Sequence, residues 1–230
     1  MSSAITALGN EGFEIEAHGK RVLIDAFFYP APHVGTPPSR RGRDCDAADA
    51  ILVTHAHPDH FRADEVAEAA RRTRAPVIGP RSVIEALRHL LPAAQRIELE
   101  PAEDANPPAE SATRVAGINI TALRTFHARG HNSYLVELGG LRWYHDGDNE
   151  RTQSISVGRI GTLDVLFMAP WQGSGWVDFI DALSPRLWVL MHLTEEEHDQ
   201  QDRGEFLPDL CAHVPAGLSV LRPGESLRLA

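Results

Sequence analysis

Phe13, Ile15 and Ala17 alternate with charged neighbours, a period of two that predicts a strand. A His18-Gly19-Lys20 turn then leads into a second strand that ends Val22-Leu23-Ile24-Asp25. Prolines 30, 32, 37 and 38 make the stretch from about Tyr29 to Asp44 a loop, with the basic run Arg40-Arg41-Gly42-Arg43 as a solvated tip. Ala50 to Val53 is a short apolar strand. The helix formers from Ala63 to Arg74 follow, stopped by Pro76. A brief strand at Pro76 to Gly79, a helix from Ser82 to Leu91 and a strand at Arg96 to Leu99 continue the mixture. The segment from Pro101 to Ser111 reads as an exposed loop. Val115 to Thr125 is strand-like, and Ser133 to Leu138 with Leu141 to Tyr144 forms a hairpin across Gly139-Gly140. Leu163 to Phe167 is a buried strand, Val177 to Leu183 a helix, and Arg186 to Met191 a strand. Two sheets with helices outside satisfy this pattern.

Composition narrows the classes without choosing one. The chain has 230 residues and a net charge of −10, which argues against a protein that grips nucleic acid through a basic face. Two cysteines, Cys45 and Cys211, exclude a thiolate zinc knuckle and a disulfide framework. No segment approaches the roughly 20 apolar residues of a spanning helix, and the first residues lack a charged start followed by an apolar run. The expectation is a soluble cytoplasmic protein formed as a single domain over residues 1–230, of unknown oligomeric state.

Histidine changes the picture. There are twelve, and three fall within six residues in Thr54-His55-Ala56-His57-Pro58-Asp59-His60. Two histidines at i and i+2 after a strand can enter one cavity, and Asp59 with His60 can serve a second centre. Imidazole and carboxylate without thiolate suit zinc, and also manganese or iron. His127 with His131, Asp148 and His192 likewise come just after strands, where side chains converge on one sheet edge. The competing reading is a polar strand-to-helix turn whose side chains only cap the helix.

His55-Ala56-His57-Pro58-Asp59-His60 resembles the H-x-H-x-D-H motif of the metallo-β-lactamase fold superfamily, and the later His, Asp and His follow in that family's order. Leu8-Gly9-Asn10 through Asp25 is similar to its opening hairpin, and compact lactonase-like members related to L-ascorbate-6-phosphate lactonase look most alike. The resemblance implies an α+β fold, a four-layer αββα sandwich. It also implies two divalent metal ions, zinc before manganese or iron. His55, His57 and His127 would hold the first, Asp59, His60 and His192 the second, and Asp148 would bridge them. His131 is kept beside the metals or in the pocket. Asn149 stands where many members carry Thr, and neither a nuclease insertion nor an RNA-binding arm is present.

The implied chemistry is hydrolysis of a small ester, lactone or phosphoester by a metal-bound hydroxide at a binuclear site, with Asp59 as a catalytic residue that orients it. Trp171 and Trp176, on the loop after Pro170, and His33 on the proline-rich loop are the expected substrate-pocket residues beside His131. The expected partner is a small-molecule substrate, with neither nucleic acid nor membrane. Two alternatives stand against this. One is a redox diiron protein on the same fold, a branch that carries Glu where His57 stands and usually adds a flavin domain. The other is a non-catalytic metal-stabilised scaffold.

Overall fold

A computed structural model describes residues 3–30, 37–103 and 109–229. Two seven-stranded sheets face each other. The first contains β1 (Ser3–Gly9), β2 (Gly12–Ala17), β3 (Lys20–Ile24), β4 (Ala50–Leu52), β5 (Val77–Gly79) and β6 (Arg96–Glu98) in that order, with the last strand of the chain, β14 (Ser226–Leu229), outside β1. The second runs from β7 (Glu110–Val115) through β8 (Ile118–Arg124), β9 (Asn132–Leu138), β10 (Leu141–His145), β11 (Val165–Met168) and β12 (Leu187–Leu190) to β13 (Leu218–Val220).

Inward-facing residues of both sheets make the central core, among them Ile5, Ile15, Val22, Leu52, Ile120, Val136, Trp143 and Phe167. α1 (Ala63–Thr73) and α2 (Arg81–Ala86) cover the outer face of the first sheet, where Val66, Ala67 and Ala70 bury against Leu23, Ile51 and Val77. α3 (Val157–Ile160), α4 (Trp176–Leu183) and α6 (Phe206–Leu210) cover the second sheet. α5 (Glu195–Asp202) starts just after His192, held by a capping box between Thr194 and Glu197. The result is the four-layer αββα sandwich, an α+β fold.

Three readings of the sequence need refinement. The strand expected over 115–125 is present as β8, starting at Ile118, and it gains an unexpected antiparallel partner, β7, across the turn that Ala116 and Gly117 make at positive φ. The second helix is shorter than its pattern suggests and ends at Ala86, with Leu87 as its C-cap. The run at 40–43 is not a free tip. Arg40 pairs with Glu14 and Arg41 with Glu65. Gly42 is buried so closely on α1 that a Cβ there would lie 2.1 Å from the Glu65 carbonyl oxygen.

β3, β4, β5 and β6 are parallel neighbours, as are β10, β11, β12 and β13. Their carboxyl ends open on the same side of the sandwich, the side where loops of an open parallel arrangement gather ligands.

Candidate metal centre

The register brings distant residues together. Ile24 pairs with Leu52 across β3 and β4, so Asp25 and Thr54 emerge side by side. In the other sheet His145 pairs with Phe167 and Met168 with Leu190, so the chain leaves three neighbouring strands just before Asp148, Trp171 and His192. His192 takes a left-handed backbone conformation (φ 62°), and its N–H donates to the Asn10 carbonyl oxygen. That backbone geometry is unfavourable for a non-glycine residue and needs surrounding contacts to hold it.

Two groups of ligand-type atoms result, each within 4.8 Å across: His55, His57, His127 and Asp148, and Asp59, His60, Asp148 and His192. Asp148 belongs to both. Its Oδ2 lies 3.2 Å from His127 Nε2 and 3.8 Å from His55 Nε2. Its Oδ1 lies 3.2 Å from His60 Nε2 and 3.7 Å from His192 Nε2. Asp59 Oδ2 closes the second group, 3.2 Å from His60 Nε2 and 3.7 Å from His192 Nε2. His57 Nδ1 and His127 Nε2 are 3.2 Å apart in the first.

These residues fit divalent cations. His55 Nε2, His60 Nε2 and Asp148 Oδ1 are buried and make no hydrogen bond, despite their mutual approach. Orphaned polar atoms of this kind are costly unless something binds them. The field points the same way. Burial opposes a charge on His60, yet the carboxylates of Asp148, Asp25 and Asp59 together outweigh it and raise the pKa well above the ordinary value. Burial would raise Asp59, but contacts from His192 and His60 hold it far below the usual carboxylate range. Asp148 is likewise depressed, burial being overcome by His60, His192 and His55 together. Burial, followed by the neighbouring His60 and His131, keeps the His55 pKa well below normal, which leaves a neutral donor nitrogen. All the atoms are nitrogen or oxygen, a set suited to zinc, manganese or iron.

The surroundings contain residues that motif reading does not single out. Asp25 Oδ2 lies 2.9 Å from His60 Nδ1, and the same carboxylate accepts from the Thr54 N–H and hydroxyl. Glu11, Asp25 and His60 form a third close group. Asp25 is already engaged there by three donors, so this group anchors His60 rather than opening a further site. Burial, then the charge of Asp148, push Glu11 well above the usual carboxylate range. Asn10 donates to the Asp59 carbonyl oxygen at 3.0 Å. The Asp146 carboxylate, two residues before Asp148, accepts from Tyr144, Asn149 and Thr152. Only an apolar strand running into a lone Asp or His hints at such roles in sequence.

The expected pocket residues separate. Trp171 packs against His192 with ring centroids 4.9 Å apart and the rings tilted by 60°, at the edge of the second group. Trp176 does not line a pocket: it is 4% exposed and packs against Trp188 in the core under α4. His131 does not line one either, because it is fully buried with both ring nitrogens hydrogen-bonded, to Thr125 and to the Asp148 N–H. His33 lies outside the described residues.

Known proteins resemble this chain in sequence and in fold. A UPF0173 metal-dependent hydrolase of Thermococcus onnurineus is 28% identical over 240 residues, spanning 96% of this chain and 97% of the relative. The solved metallo hydrolase Igni18 of Ignicoccus hospitalis superposes with a TM-score of 0.66 at 18% identity, covering 100% of this chain and 99% of its own. The metallo-beta-lactamase fold protein YhfI of Bacillus subtilis gives 0.68 at 14% identity, with 99% of each chain covered. The family model described as a beta-lactamase superfamily domain matches residues 20–193, and the chain belongs to that superfamily.

Proposed function

We propose that this chain is a metal-dependent hydrolase that binds two divalent cations, zinc first among them, and cleaves a small ester, lactone or phosphoester. The observation that carries the reading is the convergence of His55 Nε2, His60 Nε2 and Asp148 Oδ1, buried and without hydrogen bonds, on one carboxylate shared by two histidine groups. His55, His57 and His127 would hold one cation, Asp59, His60 and His192 the other, and Asp148 both. Bound there, the cations would acidify a water towards neutral pH and polarise the substrate oxygen.

The protein's own part is positioning. Asp59, kept ionised, would accept a hydrogen bond from the attacking water through its carboxylate and so orient it, and is the catalytic residue of this proposal. Asn10 steadies its backbone. Asp25 fixes the His60 ring. Trp171, against His192, offers an apolar wall beside the reacting bond.

Of the three substrate types, one observation favours the phosphoester. The Arg151 guanidinium lies 3.7 Å over the exposed Phe126 ring, next to His127, and makes no ion pair among the described residues. It is placed to meet an anionic substituent. A small-molecule substrate, no nucleic-acid partner and a cytoplasmic, single-domain protein complete the proposal. Its support is the acidic balance of charge together with helices that are all too short or too polar to cross a membrane among the described residues.

Elemental mass spectrometry on protein purified without added metal tests the reading. Two equivalents of zinc or manganese, with turnover of a lactone, ester or phosphodiester lost on chelation, is the expected result. Protein that takes up no metal on reconstitution overturns it, and two irons would favour the redox alternative.

A further inference from the structure

The carboxylate shared by both groups sits on a turn that is held by a histidine. Asp148 donates its backbone N–H to His131 Nε2 at 3.0 Å. A ring nitrogen that accepts has no proton of its own, so the single proton of the neutral ring lies on Nδ1. His131 Nδ1 is 2.7 Å from Thr125 Oγ1, Thr125 Oγ1 is 2.8 Å from Ser133 Oγ, and Ser133 Oγ is 2.6 Å from the Asp146 carbonyl oxygen.

Read from its far end, the chain has one direction. A carbonyl oxygen only accepts, so Ser133 donates its hydrogen to Asp146. Ser133 therefore accepts from Thr125, and Thr125 has only its lone pairs left for His131 Nδ1–H. The near end agrees, because the Asp148 N–H only donates. Thr125, His131, Ser133, Asp146 and Asp148 are all buried, so water does not offer an alternative partner. The ring also packs tightly on the turn. A Cβ on Gly147, at φ +60°, would lie 2.6 Å from His131 Nε2.

We propose that His131 is a positioning residue, locked by the Thr125–Ser133–Asp146 relay as the Nδ1–H tautomer so that its Nε2 holds the Gly147-Asp148 turn and, through it, the carboxylate shared by the two metal sites. The last clause rests on the metal reading above. The hold on the turn does not. The opposite tautomer would aim a proton at the Asp148 N–H and push the turn away.

Thr125→Val removes the acceptor for Nδ1–H and keeps the side chain's shape. Nitrogen-resolved NMR of wild-type protein is expected to show the His131 proton on Nδ1, and of T125V a population on Nε2. Hydrogen exchange of the Asp148 amide is expected to quicken in T125V. Zinc affinity, measured by competition with a chelator, is expected to fall about 10- to 100-fold, as for residues that orient ligands elsewhere. His131→Gln, whose carbonyl can still accept from Asp148, should keep more zinc affinity than His131→Leu. A wild-type proton on Nε2 overturns the proposal. So do exchange and zinc affinity in T125V and H131L within twofold of wild type. Wild-type protein that takes up no zinc overturns the metal reading and the role of the turn in it, whereas slow Asp148 exchange with the Nδ1–H tautomer would still support the hold.

Discussion

Asp25 Oδ2 stands 2.9 Å from His60 Nδ1, and that contact decides which nitrogen of the ring faces Asp59 and Asp148. The carboxylate is itself held by two bonds from Thr54, the residue just before His55. One buried acid thus braces the histidine turn at both ends. Replacing Asp25 with Asn removes the charge behind His60 and leaves three donors competing for one oxygen. The expected result is a loss of about 10- to 100-fold in affinity at the second site, read by chelator competition, with the first site less affected.

His127 and His131 separate by experiment as they do by geometry. His127 presents Nε2 to Asp148 Oδ2 and is partly open, with its Nδ1 2.8 Å from Glu150. His127→Ala should therefore lose metal from the first group while the second keeps its own. Elemental analysis after dialysis should fall towards one equivalent. Unchanged content would remove His127 from the proposed ligand set.

Asp59→Ala should cost second-site metal and turnover together, because the same carboxylate both faces His60 and His192 and is the group proposed to orient water. Asp59→Asn refines the point. It keeps an oxygen for the cation and loses the negative charge, so metal should be retained better than turnover. Wild-type rates in either variant, assayed with saturating metal, would sink the role.

The motif at 55–60 was legible because its residues are adjacent, and His127, Asp148 and His192 because each follows an apolar strand. Asp25 was not, since its meaning lies in a partner 35 residues away across two parallel strands. Trp171 and Trp176 look equivalent in sequence, yet Gly173 and Gly175 at positive φ swing the chain between them. Trp176 then opens α4 and turns inward. β13 and β14 leave little signal in sequence because they are short and carry Ser and Arg between their apolar residues; only the neighbours Trp188 and Ile5 that they pair beside make them strands.

The two tryptophans therefore predict opposite phenotypes. Trp176→Ala removes a large buried side chain and should cost about 3–5 kcal/mol of stability, measured by denaturant unfolding, with KM unchanged in the surviving fold. Trp171→Ala should cost less stability and raise KM several-fold, since it opens the wall beside His192.

His145 offers a test of the buried electrostatics that needs no metal. It is fully buried, with ring contacts to Phe13 and Phe167. Nε2 faces the Glu11 carbonyl oxygen at 3.0 Å, and Nδ1 accepts from the Gly147 N–H at 3.2 Å. The ring is thus neutral with its proton on Nε2. Burial lowers its pKa to about 4, against an ordinary 6.5. The unfolded chain consequently binds this proton first as the pH falls, so stability is intact above about 6.5 and declines towards 4. A shift of that size corresponds to roughly 3 kcal/mol. Denaturant unfolding of metal-free protein at pH 7 and pH 4.5 should show the decline, and His145→Gln should reduce it while lowering stability at pH 7. Other buried histidines, His55 and His131 among them, are shifted the same way, so a part of the slope should survive the substitution. A slope identical in wild type and H145Q would mean that His145 is protonated as easily in the fold as outside it, against the placement of its two hydrogen bonds.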